Sequence, residues 1–257
     1  MDILRKELNQ IYAGQHLDYE TLDPAEVERA RGVASVIAES DGGISVVTDA
    51  SSDRCYIYSG DLGQIIGLDG DTVNGKPVDS SDEDEIYYRL HPEDLAEKRM
   101  LEYEFFKIVD SLDESEKKCI KATCRIRMRD NAGVYRVVYN TTQIIGLSPF
   151  GKIWLILCRY VLSPCENDRK GICPHIVNTA TGTITRLSFN DKINNILTSR
   201  EKQILRMISD GKPSKQIADA LSISVYTVNR HRQNIISKLS VGNSIEAVSA
   251  AIAMKLL

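Results

Sequence analysis

Residues 197–239 read LTSREKQILRMISDGKPSKQIADALSISVYTVNRHRQNIISKL, and their spacing decides the architecture of the C-terminal part of the chain. Thr198 and Glu201 stand three apart. At that spacing a threonine side chain caps the third helical amide while that residue's carboxylate reaches back, so a helix begins there. Ile204, Leu205 and Ile208 form its apolar stripe, and Gly211 followed by Pro213 ends it. A second helix starts near Ser214 with Ile217, Ala218 and Leu221 on one side. Ser224 caps a third, in which Val225, Val228, Ile235 and Leu239 recur at the spacing of a buried face. Its other side carries Tyr226, Asn229, Arg230 and Gln233, flanked by Thr227, His231 and Lys238. A fourth helix follows Asn243, with Ile245, Val248, Ile252 and Leu256 on one side.

Two helices joined by the short turn Ser222-Ile223-Ser224, the second with a polar outer side, make a helix-turn-helix, whose second helix enters the major groove of DNA. Asn229, Arg230 and Gln233 offer donors and acceptors suited to base edges, and Thr227, His231 and Lys238 can reach phosphates. The plainer alternatives stay open: Arg230 and Lys238 as solvated helix charges, His231 as a structural histidine, Tyr226 as a packing or edge contact. Glu201 reads as a cap and ion-pair partner rather than a catalytic acid.

Leu197-Thr198-x-Arg200-Glu201, Ile217-Ala218, Leu221-Ser222-Ile223-Ser224, Thr227-Val228-Asn229-x-His231, Asn234-Ile235, Lys238-Leu239 and Glu246-Ala247-Val248 together resemble the LuxR-type DNA-binding domain of bacterial transcription regulators. The resemblance spans about 60 residues without a gap. It implies a four-helix domain, a recognition helix at Val225 to Leu239 and dimerisation largely through the last helix. By position it also implies base-edge contacts from Asn229, Arg230 and Gln233 and backbone contacts from Thr227, His231 and Lys238. One residue departs from the pattern, since Lys is frequent where Asn229 stands. An amide addresses adenine whereas Lys favours guanine, so the target preference of relatives does not transfer.

Charge divides along the same line. Residues 190–257 hold ten Lys/Arg against five Asp/Glu, a balance of +5, so the net charge of −4 leaves −9 on the first 189 residues. A basic module on an acidic body suggests that only one of them meets a polyanion. The composition is that of a globular protein, and the longest apolar run, Ile153 to Cys158, is far short of the roughly 20 residues of a membrane span. Charges at Asp2, Arg5, Lys6 and Glu7 argue against a secretory leader, so a cytoplasmic protein with its six cysteines as thiols is expected.

In the body, Ile44 to Thr48 and Cys55 to Ser59 read as short strands, and Pro92 to Leu112 as a helix. From Ile120 to Arg129 apolar residues alternate with Lys121, Thr123, Arg125, Arg127 and Arg129, giving a strand with one wet, cationic face. Asp130-Asn131-Ala132-Gly133 turns it into Val134 to Ile145, and Ser148-Pro149-Phe150-Gly151 turns again into Ile153 to Leu162. This order, with Leu90-His91-Pro92-Glu93-Asp94-Leu95 ahead of a helix, resembles a PAS-type sensor domain. The resemblance implies a five-stranded antiparallel sheet with helices on one side, and His91 as a helix-start residue rather than a haem ligand. No cofactor is assigned. The basic stripe is read as a solvated sheet face, Ser80 to Glu85 as a mobile acidic loop, and Ile176 to Leu187 as a small hairpin. Apolar groups at Leu4, Leu8 and Ile11, and at Val33, Val36 and Ile37, suit helices packed on the sheet or on a partner. Cys165, Cys173 and His175 lack the fourth ligand and the close pairing of a zinc site, so no metal is expected.

The expected fold is α+β: an N-terminal helical segment (1–40), a PAS-like antiparallel sheet with helices (41–163), a linker with a hairpin (164–190) and an all-α helix-turn-helix domain (191–257), with the hinge at Asn190 to Asn195. The expected function is a homodimeric, sequence-specific transcription regulator. Its partners are double-stranded DNA, an unidentified small-molecule or protein signal and RNA polymerase, with no membrane. The rival reading is a sigma-like factor that acts on polymerase without binding DNA alone. An enzyme is not expected, because no nucleophile-base pair, phosphate-cradling loop or metal constellation is visible.

Overall fold

The computed structural model describes residues 11, 14–17, 21–68, 70, 74–79, 83–164, 171–189, 196–239, 241–253 and 256–257. Leu4, Leu8, Cys165 and the hinge at Asn190 to Asn195 lie outside them. The chain divides into two compact units, one of Leu8–Leu187 and one containing Ser188–Leu257.

The first unit is built on an antiparallel sheet of β1 (Ile44–Asp49), β2 (Arg54–Ser59), β3 (Asn74–Val78), β4 (Ile120–Arg129), β5 (Tyr135–Leu147), β6 (Ile153–Leu162), β7 (His175–Asn178) and β8 (Thr183–Arg186), in the order β3-β2-β1-β6-β5-β4-β7-β8. The alternation in β4 is as expected: its even-numbered residues are buried through Met128, while the odd ones are partly or fully exposed. Gly133, at φ +83°, and the Asp130 carboxylate, which accepts from the Ala132 and Val134 amides at 2.9 and 2.8 Å, turn β4 into β5. Eight strands replace the five implied by the PAS resemblance. The extra ones are the edge strand β3 and the β7–β8 hairpin, which pairs with β4 and so belongs to the sheet rather than to a free linker.

Helix α1 (Pro24–Asp41) packs on β1, β2 and β6. It does so through Ala30 and Ala34, against Val47, Trp154, Leu155 and Leu157; Ala38 is buried as well, and Val33 and Val36 are exposed. Of the larger apolar residues that by spacing suit packing, Ile37 packs against the sheet, whereas Val33 and Val36 face outward because alanines let the helix approach closely. Three short helices, α2 (Asp61–Ile66), α3 (Asp84–Tyr87) and α5 (Glu114–Lys117), flank the long α4 (Pro92–Asp110). His91 caps α4, its Nδ1 accepting from the Glu93 amide at 3.2 Å. Leu101, Phe105, Phe106 and Val109 of α4 are buried, at about 1.5–3 kcal/mol of transfer energy each.

Two further expectations fail in this unit, and of the acidic stretch Ser80 to Glu85 the first three residues lie outside the described ones. Glu83 does not belong to a mobile loop: it is buried at the start of α3 and accepts the Tyr160 hydroxyl. Arg127 is not simply solvated, because its guanidinium grips Asp94 at 2.6 and 3.0 Å and Glu93 at 2.9 Å.

The second unit holds α6 (Ser199–Ser209), α7 (Ser214–Leu221), α8 (Val225–Leu239) and α9 (Ser244–Ala253). The capping box is complete at α6, and α7 ends on Ser222 in the left-handed region at φ +52°. Ile204, Leu205, Ile217, Ala218, Val228, Ile235 and Leu239 form the core with Ala247, Ala251 and Leu256. The stripe at Ile245 and Ile252 is outside this core, 80% and 60% exposed, since α9 packs through its alanines.

Candidate nucleic-acid interface

The α7–α8 pair is fixed by its ends. Ser224 Oγ accepts from the Thr227 amide at 3.0 Å and starts α8 one residue after the turn. The carbonyl of Leu221 at the end of α7 accepts from the Arg200 guanidinium at 3.0 Å, tying α7 to α6. Arg232 sits on the shoulder of α8, where its Nε donates to Ser244 Oγ at 3.2 Å and its terminal nitrogen to Ser214 Oγ at 3.1 Å. One side chain thus links the starts of α7 and α9 to the middle of α8. The sequence reading missed it, because an arginine among other helix charges gives no local sign of two distant serines.

At about 100° per residue, Val228, Ile235 and Leu239 share one side of α8, and positions 226, 229, 230 and 233 share the opposite one. The burial follows this division: the first three are buried, whereas Asn229, Arg230 and Gln233 are exposed and Tyr226 is 78% exposed. Tyr226 therefore lies largely outside the packing of its own domain. The three base-edge candidates are brought together on one open stripe, with donors and acceptors projecting from a rigid element.

The three backbone candidates lie together on the flank of α8. The Thr227 hydroxyl shares a 2.8 Å hydrogen bond with Ser224 Oγ. His231 turns a buried Nδ1 into the domain with no hydrogen-bond partner. Lys238 Nζ donates to Glu201 Oε2 at 2.7 Å. Glu201 is almost wholly buried; burial opposes its charge, but Lys238 together with the Thr198 amide and hydroxyl more than offsets that and holds its carboxyl below the usual value. Lys238 contributes a cation to this surface only as the outer half of a pair.

Among the described residues no group of three His, Cys, Asp or Glu could hold a metal ion. Of the three residues considered for zinc, Cys173 takes a φ of +48° and accepts from Arg125 at 3.6 Å, His175 opens β7, and Cys165 is not described. No described helix is long and apolar enough to cross a membrane.

A compact helical domain with an exposed polar recognition helix is the form of a helix-turn-helix DNA-binding domain, and residues 195–251 match the family of bacterial regulatory proteins, luxR family. The C-terminal domain is thus a LuxR-type helix-turn-helix domain, and the chain as a whole has an α+β fold. The chain is 44% identical over 69 residues to the uncharacterized response regulatory protein YgeK of Escherichia coli (strain K12), covering 27% of this chain and 47% of that protein. It is 41% identical over 133 residues to the transcriptional activator protein SolR of Ralstonia solanacearum, covering 49% of this chain and 53% of the relative. The matches thus span about half the length of these relatives. Among solved structures, phage VqmA in complex with DPO aligns over 91% of this chain and 94% of its own, with 16% identity and a TM-score of 0.32.

Proposed function

We propose that the chain is a homodimeric, sequence-specific DNA-binding transcription regulator in which a PAS-like sensor (41–163) modulates the helix-turn-helix domain (191–257). The observation that carries the proposal is the open stripe of Asn229, Arg230 and Gln233 on a helix held at its start, its middle and its last turn by its own domain. These three residues choose the sequence; Thr227, His231 and Lys238 meet phosphates, and the +5 balance of residues 190–257 makes affinity fall with salt. Dimerisation through α9 is supported by the exposed Ile245 and Ile252, which face away from the core of their own domain.

The sensor reading rests on the interior of the first unit. Lys98, fully buried, donates to Glu102 Oε1 at 2.6 Å, the Tyr87 hydroxyl donates to the same oxygen, and the Arg99 guanidinium lies 3.9 Å from the Tyr87 ring centre. Glu102 Oε2 has no hydrogen bond, and the Arg99 guanidinium lies 3.6 Å from it. A core that serves only stability rarely buries so many charges, because their desolvation offsets their attraction. A polar interior suits a small hydrogen-bonding signal molecule.

Selection of bound fragments from a random DNA pool, at two salt concentrations, tests the proposal. The expected result is a two-fold symmetric consensus with half-site centres about one helical turn apart. Enrichment of no sequence, or binding only when RNA polymerase is added, would reject it.

A further inference from the structure

Strands β4 to β8 contain no Asp or Glu, although they belong to a body whose first 189 residues carry nine more acids than bases. Their cations gather on the sheet face whose other end, at β1 and β6, is covered by α1. Strand register aligns Arg125 with Tyr139, Arg129 with Tyr135, Lys121 with Gln143, and Arg186 with His175 on that face. Tyr135 and Tyr139 are 40% and 43% exposed, so the described residues cover this end only in part. Two further arginines are already neutralised, Arg127 by Asp94 and Glu93, and Arg159 by Asp41. Lys121, Arg125, Arg129 and Arg186 form no ion pair among the described residues; the only bond of the four guanidinium or ammonium groups is the weak one from Arg125 to Cys173 Sγ at 3.6 Å.

A face that meets only water usually mixes both signs, whereas a one-sign field repels itself until an anion arrives. Residues four apart on a strand lie about 13 Å apart, so Lys121, Arg125 and Arg129 are spaced to meet separate phosphates. A second copy of the same face would bring like charges together. Stacking of unpaired bases is disfavoured as well, since the Tyr135 ring already packs edge-on against His91, with centroids 4.6 Å apart.

We infer that this face binds the phosphate backbone of duplex DNA flanking the segment read by residues 225–239. The inference rests on the DNA-binding reading above. DNA held by the helix-turn-helix domain keeps phosphates at high effective concentration beside the rest of the chain, so contacts too weak to bind alone add to affinity.

The test measures fluorescence anisotropy of the full chain on two duplexes across a salt series. One is the selected consensus alone; the other extends it by about one and a half helical turns of unselected sequence on each side. The variant combines Lys121→Gln, Arg125→Gln, Arg129→Gln and Arg186→Gln. Wild type is expected to bind the long duplex roughly tenfold more tightly, with a log–log salt slope steeper by about 2–4. The variant is expected to bind the short duplex as wild type does, which also shows that it folds, and to lose the advantage of length. Equal affinity and slope for both proteins on the long duplex overturn the inference while leaving sequence recognition by α8 standing. So does a variant that loses only binding of a single-stranded oligonucleotide. Wild type that binds neither duplex overturns the DNA reading, and this inference with it.

Discussion

Glu201 joins two structures with one carboxylate. Its Oε2 accepts from the Thr198 amide at 2.8 Å to complete the cap of α6, and from Lys238 Nζ at 2.7 Å, thirty-seven residues away on the last turn of α8. The cap is local, so the Thr198 and Glu201 spacing made it legible; the Lys238 partner depends on how the helices pack, and no spacing rule announces it. Because the folded domain holds this carboxyl below its ordinary value, the stability it contributes is present above the unfolded value of about 4.3 and is lost as pH falls through the folded one. Glu201→Gln is expected to cost about 1–3 kcal/mol at neutral pH and to flatten the acid limb, measured as amide exchange protection in α6 and α8 from pH 7 to 3. An unchanged acid limb would show that the pair contributes nothing. His91 acts in the same direction. Burial and Arg127 lower its pKa, favouring the neutral ring that accepts from the Glu93 amide, so the cap of α4 weakens as pH falls below about 6.5.

Among the elements, the span of α8 was legible because its cap at Ser224, its polar side and the stripe of Val228, Ile235 and Leu239 agree; Val225, which spacing placed in that stripe, is 42% exposed. In α1 and α9 the apolar spacing was real but only partly inward: Ile37 and Leu256 pack inward, whereas Val33, Val36, Ile245 and Ile252 stay outside while alanines are buried. Periodicity finds a stripe without saying which neighbour it meets, and small residues win the closest contact because they allow it. Strand β3 was missed for a related reason. Its sequence, Asn-Gly-Lys-Pro-Val, has little β character and takes its form from pairing with β2. If the outward stripe of α9 is the dimer surface, Ile245→Glu leaves the fold intact, lowers the mass measured by light scattering to that of a monomer, and weakens binding to a two-half-site duplex by at least tenfold, about 1.4 kcal/mol. A variant that stays dimeric would move the interface elsewhere.

Across the whole molecule, the sequence showed a basic module on an acidic body and a meander of long strands, and both are present. It did not show that several charges are interior. Lys98 and Glu102 look like ordinary solvated helix residues, and Glu83 like a loop acid, until the sheet closes over them. Burial alone would strip Lys98 of its charge, but the Glu102 carboxylate more than compensates and raises its pKa. Lys98→Met removes one partner of a buried pair and is expected to destabilise the first unit by about 3–5 kcal/mol. Urea unfolding followed by the fluorescence of buried Trp154 measures this, and a change under 1 kcal/mol would mean that water reaches the cluster. The central claim, that the open side of α8 reads DNA, is tested most directly by replacing Asn229, Arg230 and Gln233 together with alanine. Anisotropy then compares the selected duplex with a scrambled one at equal salt. The account predicts that the triple variant binds both duplexes equally, at the affinity wild type shows for the scrambled one; a variant that still prefers the selected sequence as strongly as wild type contradicts it.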